Sequence, residues 1–167
     1  MSADRPGERI ADRIADRIAV QALLAEYGGL LDLGHYDDWL GLFAAECRYS
    51  VVPRENYDAR LPVALILCDS RAMLEDRIAA LRQANKYNIH TDRHIIGLPR
   101  IIGEEPGWID IEAPFAVYQT DQEGETRLFA TGLYRDRIER ANRALRIADK
   151  LVLLDTSAVP TLLATPL

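Results

Sequence analysis

Histidine and aspartate alternate in the middle of the chain, in the segment His90-Thr91-Asp92-Arg93-His94. On an extended strand alternate side chains share one face, so His90, Asp92 and His94 would project together. Two histidines and one carboxylate are the ligand types of a non-haem Fe(II) site. On a single strand, however, these ligands are spread over roughly 13 Å, whereas iron sites draw their ligands together from separate elements. The spacing therefore argues against a metal here.

The same residues are candidates for acid–base chemistry. An imidazole beside a carboxylate or a tyrosine can remove a proton next to a carbonyl group or dehydrate a small substrate. The members of such a pair would be His90 or His94 with Asp69, Asp92 or Tyr49. A histidine near a strand start is also commonly a hydrogen-bonded structural residue or an interface contact, and the sequence leaves these alternatives open.

Motifs for other kinds of catalysis are missing from the sequence. It holds no glycine-rich phosphate loop, no Gly-x-Ser-x-Gly elbow and no Cys-x-His or Cys-x-x-His pair for a Rieske cluster. Its two cysteines, Cys47 and Cys68, stand apart in apolar surroundings. They are therefore expected to be buried thiols and not a disulfide or a metal site. We expect no cofactor in this chain.

Length and charge restrict the class of protein. The 167 residues are 49% hydrophobic and 28% charged, which predicts one globular domain over residues 1–167. Lysine and arginine number 20 against 26 acidic residues, so the net charge of −6 argues against a nucleic-acid partner. The first ten residues lack the apolar region of a signal peptide, and the longest apolar run, Val63 to Cys68, is too short for a membrane span. We expect a cytoplasmic protein.

The first third of the sequence has a helical pattern. Ile10, Ile14 and Ile18 recur every four residues, and the apolar stripe continues with Leu23, Leu24, Tyr27 and Leu31. The stripe predicts a helix that packs on the core, with a partner-facing stripe as the alternative. Gly28 and Gly29 weaken its end and Gly34 can stop it. Asp37 can then cap a second short helix that carries Trp39, Leu42 and Phe43.

The middle of the chain predicts one strand, one loop and one helix. Residues Cys47 to Pro53 alternate as in a strand, and Arg54 to Pro62 lack periodicity and form a loop. Ser70 can cap a third helix from Arg71 to about Asn85. The apolar side of that helix would consist of Met73, Leu74, Ile78 and Leu81.

From Thr91 onward the apolar residues have a period of two, which predicts antiparallel strands. One inward set is Ile109, Ile111, Ala113, Phe115 and Val117. A second is Leu145, Ile147, Leu151 and Leu153, alternating with Arg146, Lys150 and Val152. Turns are expected at 104–107, where glycine follows proline, and at 121–125. Helices followed by a meander predict an α+β domain whose helices cover one face of a curved sheet.

A series of short motifs runs in order along almost the whole chain. The early ones are Tyr27, Leu31-Asp32, Tyr36-Asp37, Trp39-Leu40, Leu42-Phe43 and Cys47-Arg48-Tyr49. The later ones are Asp69-Ser70-Arg71, Met73-Leu74, Asp76-Arg77, Leu81, Arg93-His94, Gly132-Leu133-Tyr134, Asp136 and Val152-Leu153-Leu154-Asp155. Together these motifs resemble the small (β) subunit of aromatic-ring-hydroxylating dioxygenases.

The resemblance implies a cone-shaped α+β fold like that of nuclear transport factor 2 and scytalone dehydratase. It also implies a mostly structural subunit that supports a large (α) oxygenase subunit, commonly in an α3β3 hexamer, so the small subunits would also associate as a trimer. In that family the Rieske [2Fe–2S] cluster and the mononuclear Fe(II) belong to the large subunit. A reductase or ferredoxin would be an indirect partner.

Finer motifs resemble one branch of this family. They are Arg54-Glu55-Asn56-Tyr57, Leu61-Pro62, the run Met73 to Arg82, Ala84-Asn85, Tyr87 and the segment Thr161 to Leu167. Small subunits of salicylate hydroxylases and of anthranilate or terephthalate dioxygenases are similar here, which implies an aromatic carboxylate as substrate. Before Arg93-His94, residues 87–90 depart from the prolines and tryptophan that are common in the family.

Some residues are candidates for contact with a partner subunit. Arginine and tyrosine in the loop 54–60 are types enriched in interface anchors, although a solvated loop explains them equally. Residues 158–167 carry no charge and should pack on the chain's own core or on a neighbouring subunit. Arg93 with His94 could pair with a carboxylate of a partner or of this chain. The candidates are Arg54, Tyr57, Arg60, Arg93, His94, Leu162 and Leu163.

Three functions therefore remain. The leading hypothesis is a non-catalytic assembly subunit of a Rieske-type aromatic oxygenase, with no catalytic residue in this chain. The alternative is a stand-alone dehydratase or isomerase of the same cone fold that uses His90, Asp92 and His94. The third is a ligand-binding module without chemistry. An open polar pocket around a histidine would favour the enzyme, and an inner face filled by apolar side chains would favour the subunit.

Overall fold

The computed structural model describes residues 6–84, 89–141, 144–156 and 163–167, with side chains from residue 13 onward except residue 84. The helices of these ranges are α1 (Pro6–Leu33), α2 (Tyr36–Leu40), α3 (Arg54–Asp58) and α4 (Arg71–Ala84). The strands are β1 (Phe43–Pro53), β2 (Ile66–Cys68), β3 (Thr91–Ile96), β4 (Arg100–Glu105), β5 (Trp108–Thr120), β6 (Thr126–Ala141) and β7 (Ala144–Leu154).

The seven strands form one sheet in the order β2-β1-β7-β6-β5-β3, with β4 paired to β5 beside β3. Strands β1 and β7 are parallel, and the other described pairs are antiparallel. Helix α1 packs on β3 and β7, and α4 packs on β1 and β2. The predicted α+β class, with helices covering one face of a mainly antiparallel sheet, is confirmed.

The core lies on the face of the sheet that the helices cover, which we call the inner face. Strand register aligns Ala113, Tyr134 and Val152 across β5, β6 and β7 on this face. The predicted inward set of β5 is confirmed, because all five members are buried: Ile109, Ile111, Ala113, Phe115 and Val117. Buried side chains from the helices complete the core, namely Val20, Leu23, Leu24, Tyr27, Leu31, Trp39, Leu74 and Ile78.

A β-bulge in β7 overturns the predicted alternation of that strand. Ile147 pairs with Ile138 and Asp149 pairs with Arg137, so Ala148 is an extra residue between them. An extra residue reverses the facing of every side chain that follows it. Lys150 and Val152 consequently share the inner face with Ile147, whereas the sequence pattern assigned them to the opposite face.

Helix α1 differs from its prediction in its first half. Ile14 and Ile18 are 53% and 62% exposed, so they do not belong to the core-facing stripe. At 3.6 residues per turn, Ile18 points roughly 160° away from Val20, where the buried stripe begins. The helix also continues through both weakening glycines to Leu33. Its predicted stop is confirmed, because Gly34 has a left-handed φ of +69°.

Several boundaries between residues 35 and 62 are corrected. Asp37 lies inside α2, which His35 precedes without a side-chain cap. Leu42 and Phe43 lie beyond this helix, because β1 begins at Phe43, four residues before the predicted start, and pairs there with Ile147 of β7. The expected loop after Pro53 contains the one-turn helix α3.

The third predicted helix and both turns are confirmed. Ser70 Oγ accepts the Met73 N–H at 3.4 Å at the start of α4, whose predicted end at Asn85 falls outside the described residues. Met73 itself is exposed and not part of the apolar side. Gly107 has φ +84° in the β4–β5 turn, and Asp121 Oδ1 accepts the Glu123 and Glu125 N–H groups in the next turn. No described helix is long and apolar enough to cross a membrane.

Candidate functional site

The structure places the three predicted acid–base residues on and next to β3. Asp92 and His94 pair with Gln119 and Val117 of β5 and therefore face inward, and His90 lies just before the strand. His90 Nε2 is 3.3 Å from Asp92 Oδ2, so these two side chains do meet. Asp92 Oδ1 also accepts a hydrogen bond from the Gln119 amide at 3.3 Å. His94 takes a different partner.

His94 pairs with Asp32 of α1, a carboxylate that the sequence motifs contained without any assigned role. His94 Nδ1 is 2.7 Å from Asp32 Oδ1, and the backbone N–H of His94 donates to the same oxygen at 3.0 Å. The imidazole is 1% exposed and the Asp32 carboxylate 5% exposed. In the neutral ring, an Nδ1–H that donates to Asp32 leaves the Nε2 lone pair free, which is the tautomer of a general base.

A close approach of α1 to β3 brings these two residues together. A Cβ atom on Gly28 would lie 3.1 Å from both His94 Cβ and Ile96 Cδ1, so the missing side chain allows the helix to approach the strand. Asp32 follows one helical turn after Gly28 and meets β3 there. The sequence held one signal for this contact, which is Gly28 inside a helical pattern with the carboxylate of Asp32 four residues later.

A second polar centre of the inner face is the ion pair between Lys150 and Asp136. Lys150 Nζ lies 2.8 Å from Asp136 Oδ2, and both side chains are 0% exposed. The ammonium also lies 3.7 Å from the ring centre of Tyr134 and 4.2 Å from that of Tyr27. Burial raises the pKa of Asp136 and lowers the pKa of Lys150, because each loses the hydration of its charged form.

Aromatic rings fill the space between α1, α2 and β1. The Trp39 ring centre lies 5.6 Å from that of Tyr27, 5.9 Å from that of Tyr49 and 4.8 Å from that of Phe43. Tyr134 stacks on Phe115 at 4.2 Å. Burial raises the pKa of Tyr27 and Tyr134 well above the ordinary value of 10.0, so these phenols are neutral. The inner face around the ion pair is thus lined largely by apolar and aromatic side chains.

Residue Leu167 reaches this aromatic cluster through its backbone. The Tyr27 hydroxyl donates to the Leu167 backbone oxygen at 2.6 Å, and the Tyr49 hydroxyl contacts the same oxygen at 3.3 Å. The Leu167 N–H donates to the Tyr49 hydroxyl at 2.9 Å. Arg77 of α4 holds the preceding turn, since one of its terminal nitrogens donates to the carbonyls of Leu163 and Ala164 at 3.1 Å each. Leu167 is buried.

Six buried polar side-chain atoms have no hydrogen-bond partner among the described residues. They are Trp39 Nε1, Arg77 Nε, His90 Nδ1, His94 Nε2, Tyr134 Oη and Asp136 Oδ1. A buried polar atom without a partner costs about 1–3 kcal/mol, so each of them is a place where a water molecule or a ligand would be stabilised. Within the described ranges no group of three or more His, Cys, Asp or Glu side chains could hold a metal ion.

The predicted interface residues of the loop 54–60 lie on the opposite, outer face of the sheet. Arg54 donates to Asp155 at 3.0 Å, and the Tyr57 hydroxyl accepts from Arg135 at 2.8 Å. Arg60 has a left-handed φ of +54°, which is rare for a residue with a side chain. Tyr57 and Arg60 border an open groove of about 630 Å³, whose lining also includes Arg48, Val52, Leu61 and Leu151.

The other interface candidates have contacts inside the chain. Arg93 Nη1 donates to Asp32 at 3.2 Å, so Arg93 and His94 both pair with an internal carboxylate. Leu163 is half-buried and packs against the core. Leu162 lies outside the described residues.

The sequence is similar to known subunits along most of its length. The family profile described as "Ring hydroxylating beta subunit" matches residues 28–161. The small subunit of anthranilate 1,2-dioxygenase from Burkholderia cepacia is 40% identical over 148 residues, which are 89% of this chain and 92% of that protein. A terminal oxygenase subunit β of terephthalate 1,2-dioxygenase from Comamonas sp. is 35% identical over 89% of this chain and 96% of its own length.

Solved structures show the same architecture. A protein assigned as the β subunit of an aromatic-ring-hydroxylating dioxygenase from Novosphingobium aromaticivorans superposes with a TM-score of 0.85 at 39% identity, covering 94% of this chain and 99% of that one. A protein assigned as a scytalone dehydratase from the same organism superposes with a TM-score of 0.67 at 12% identity over 85% of both chains. At that identity the second likeness shows the fold alone, and it confirms the expected cone.

Proposed function

Because this chain belongs to the ring-hydroxylating β-subunit family, we propose that it is the non-catalytic small subunit of a multicomponent oxygenase that acts on an aromatic carboxylate. The chain-long likeness to the anthranilate and terephthalate dioxygenase subunits carries the proposal. Both of those ring substrates are carboxylates. The same likeness favours a subunit over a stand-alone dehydratase.

The residue inventory supports the non-catalytic role. A Rieske cluster takes two cysteines and two histidines, and a mononuclear Fe(II) site takes two further histidines and a carboxylate. The chain has three histidines in all, fewer than the four that both groups together require, and it lacks the Cys-x-His and Cys-x-x-His pairs of a Rieske cluster. Together with the likeness to β subunits, this favours assigning both iron centres to a large (α) oxygenase subunit, which the β subunit supports.

The proposal extends to the assembly. The large subunit is the direct partner, in an α3β3 hexamer in which the small subunits form a trimer, and a ferredoxin or reductase supplies electrons to that complex in the cytoplasm. The candidate contacts on the outer face, Arg54, Tyr57 and Arg60, remain exposed or half-buried in this chain and are free to meet a partner. Of the residues named for the alternative function, which are His90, Asp92 and His94, the His94 side chain is enclosed within the core, where it pairs with Asp32.

Co-expression with a large subunit encoded beside this chain tests the proposal. The large subunit chosen should carry Cys-x-His and Cys-x-x-His pairs, and light scattering after gel filtration should give equal numbers of the two chains. The complex should consume oxygen with anthranilate or terephthalate, and the large subunit alone should be less soluble or less active. Iron and acid-labile sulfide should be found in the complex. Stoichiometric iron in the isolated small subunit, or a failure of the two chains to co-purify, would contradict the proposal.

A further inference from the structure

A row of charged side chains crosses the outer face of the sheet. Strand register aligns Asp110 of β5 with Arg137 of β6, and Arg137 with Asp149 of β7. On its other side Asp149 aligns with Arg48 of β1. The extra residue Ala148 gives Asp149 this outward position. Because side chains opposite each other on neighbouring strands are close enough to interact, Asp149 has a basic neighbour on each side.

Neither neighbour forms an ion pair with Asp149. The Arg137 guanidinium is occupied on its other side, where it lies 2.9 Å from Glu105 and 3.3 Å from Asp110. Arg48 is exposed and forms no ion pair within the described ranges. The half-buried Asp149 carboxylate likewise has no hydrogen-bond or ion-pair partner among the residues that the structure describes. Burial raises the pKa of this carboxyl, and the charge of Arg48 offsets that effect only in part.

Two open grooves of the outer face meet at Asp149. The groove of about 630 Å³ beside α3 and a second groove of about 390 Å³ toward β4 share Asp149 and the half-buried Leu151 as lining residues. The other unpaired charges of the first groove belong to exposed side chains that keep their hydration, namely Arg48, Asp58 and Arg60. Asp149 has lost part of its water without gaining a partner, so it is the groove charge that a bound cation would stabilise most.

The space and the charge fit the side chain of an arginine. A guanidinium can donate two parallel hydrogen bonds to a carboxylate, and its aliphatic stem can pack on an apolar neighbour such as Leu151. Arginine is also enriched among the anchor residues of protein interfaces. An acidic side chain of a partner would instead be repelled by Asp149. A divalent cation fits less well, because no group of three or more His, Cys, Asp or Glu side chains in the described ranges could hold one.

We propose that Asp149 is the binding partner of an arginine side chain of the large subunit, and that Leu151 packs against the stem of that arginine. This inference rests on the proposed function, because it takes the large subunit as the partner, and it adds the chemistry by which the outer face recognises that subunit. No described contact within the chain requires the charge of Asp149. The carboxylate therefore acts in assembly and not in folding.

The test replaces Asp149 in the full chain and measures two quantities. Asp149→Asn should lower the affinity for the large subunit at least about tenfold in a titration of the purified subunits, because a partly buried cation loses its counter-ion. The melting temperature of the isolated chain should stay unchanged or rise, since the charge that is removed is partly desolvated and unpaired. A carboxylate with a structural role would give the opposite result, a lower melting temperature.

The matched control is Asp58→Asn, which removes an exposed carboxylate from the same groove with the same change of charge. It should change the affinity by less than about threefold. An arginine-to-alanine scan of the large subunit then identifies the other half of the contact. One of these changes should weaken binding of the original chain at least about tenfold, and binding of Asp149→Asn by less than about twofold.

The outcomes separate this inference from the proposed function. The Asp149 contact is wrong, and the proposed function stands, if Asp149→Asn binds the large subunit as tightly as the original chain does or melts at a lower temperature. The same holds if Asp58→Asn loses as much affinity, or if no arginine of the large subunit is coupled to Asp149. If the original chain does not bind the large subunit at all, the proposed function fails and this inference fails with it.

Discussion

At the scale of single residues, the buried ion pair between Lys150 and Asp136 is a costly feature of the interior. Both side chains are fully buried, and the second carboxylate oxygen of Asp136 has no hydrogen-bond partner among the described residues. Desolvation of two charges is repaid only when their geometry is good and their remaining hydrogen bonds are made. The 2.8 Å contact and the two tyrosine rings around the ammonium provide part of this compensation.

Removing one partner of this pair should therefore cost more than removing both. We expect Lys150→Met and Asp136→Leu each to lower the free energy of unfolding by about 3–5 kcal/mol, since each change deprives a fully buried group of its ion-pair partner. The double variant with both changes should lose less than either single variant. Urea unfolding at pH 7 measures all three. Additive losses would show that the two side chains act independently.

Glu112 on the outer face gives a prediction of pH dependence. Arg100 and Arg135 bind its carboxylate at 2.6 Å and hold its pKa below the ordinary 4.5. A lowered carboxyl pKa contributes stability above the ordinary value, and this contribution is lost as the pH falls through the lowered pKa. Because Arg100 is largely exposed, we expect Glu112→Gln to cost only about 1 kcal/mol at pH 7.

The check is the difference in free energy of unfolding between the original chain and Glu112→Gln across a pH series. That difference should be constant above pH 4.5 and should shrink at lower pH. Glu46→Gln, at an exposed position of β1, is the control and should change the free energy by less than about 0.5 kcal/mol. A difference that grows on acidification would contradict the assigned sign.

At the scale of elements, two local irregularities position the interior. Gly28 lets α1 lie close against β3 and so brings Asp32 to His94. The bulge at Ala148 turns Lys150 inward to meet Asp136. Neither polar pair would form on a regular helix and a regular strand of the same composition. The His94–Asp32 pair thus depends on Gly28, and the Lys150–Asp136 pair depends on the extra residue Ala148.

The neighbouring glycines of α1 offer a matched test of this packing. Glycine inside a helix is roughly 1 kcal/mol less favourable than alanine, and a Cβ atom on Gly29 would meet no atom within 4 Å. Gly29→Ala should therefore raise the free energy of unfolding by about 0.5–1 kcal/mol. Gly28→Ala should gain less or lose stability, because its Cβ would meet His94 and Ile96 at 3.1 Å. Thermal unfolding measures both variants. If Gly28→Ala and Gly29→Ala raise the free energy of unfolding equally, β3 does not limit the space beside Gly28.

At the scale of the whole molecule, the two faces of the sheet have different roles. The inner face binds the chain's own segment 163–167 and encloses its charges. The outer face carries the open groove beside α3, where Arg60 is held in a left-handed conformation. Backbone strain of this kind concentrates at functional positions, and it agrees with the proposed use of the groove as a contact for the large subunit.

Replacing Arg60 should separate assembly from stability. Glycine adopts a positive φ without strain, so Arg60→Gly should leave the free energy of unfolding of the isolated chain unchanged or raise it by up to about 1 kcal/mol. If Arg60 anchors the partner, affinity for the large subunit should fall about tenfold or more, measured by titration of the two purified subunits. Arg17→Glu, at an exposed position of α1, is the control and should keep full affinity. If Arg60→Gly binds the large subunit with unchanged affinity, the groove is not part of the interface.

The fold class and most elements follow from local patterns in the sequence. The period of two in β5, the Ser70 cap of α4, the Gly34 stop and the Pro106-Gly107 turn each depend on residues close in the chain, and all are confirmed. Short motifs spread over the chain also sufficed to identify the family. Among the features that local patterns predicted wrongly are the facing of Ile14 and Ile18, the alternation after Ile147 and the loop after Pro53.

The tertiary structure alone decided the partners of the buried polar groups. Asp32 and His94 are 62 residues apart, and Tyr27 and Leu167 are 140 apart, so no local spacing connects them. The bulge that turns Lys150 inward is imposed by pairing with β6 and leaves no mark in the alternation of β7 itself. The sequence by itself therefore determined which elements form and which family they build. The contacts inside the cone depend on how these elements pack, because desolvated charges and hydroxyls take whichever partner the packing brings within hydrogen-bond distance.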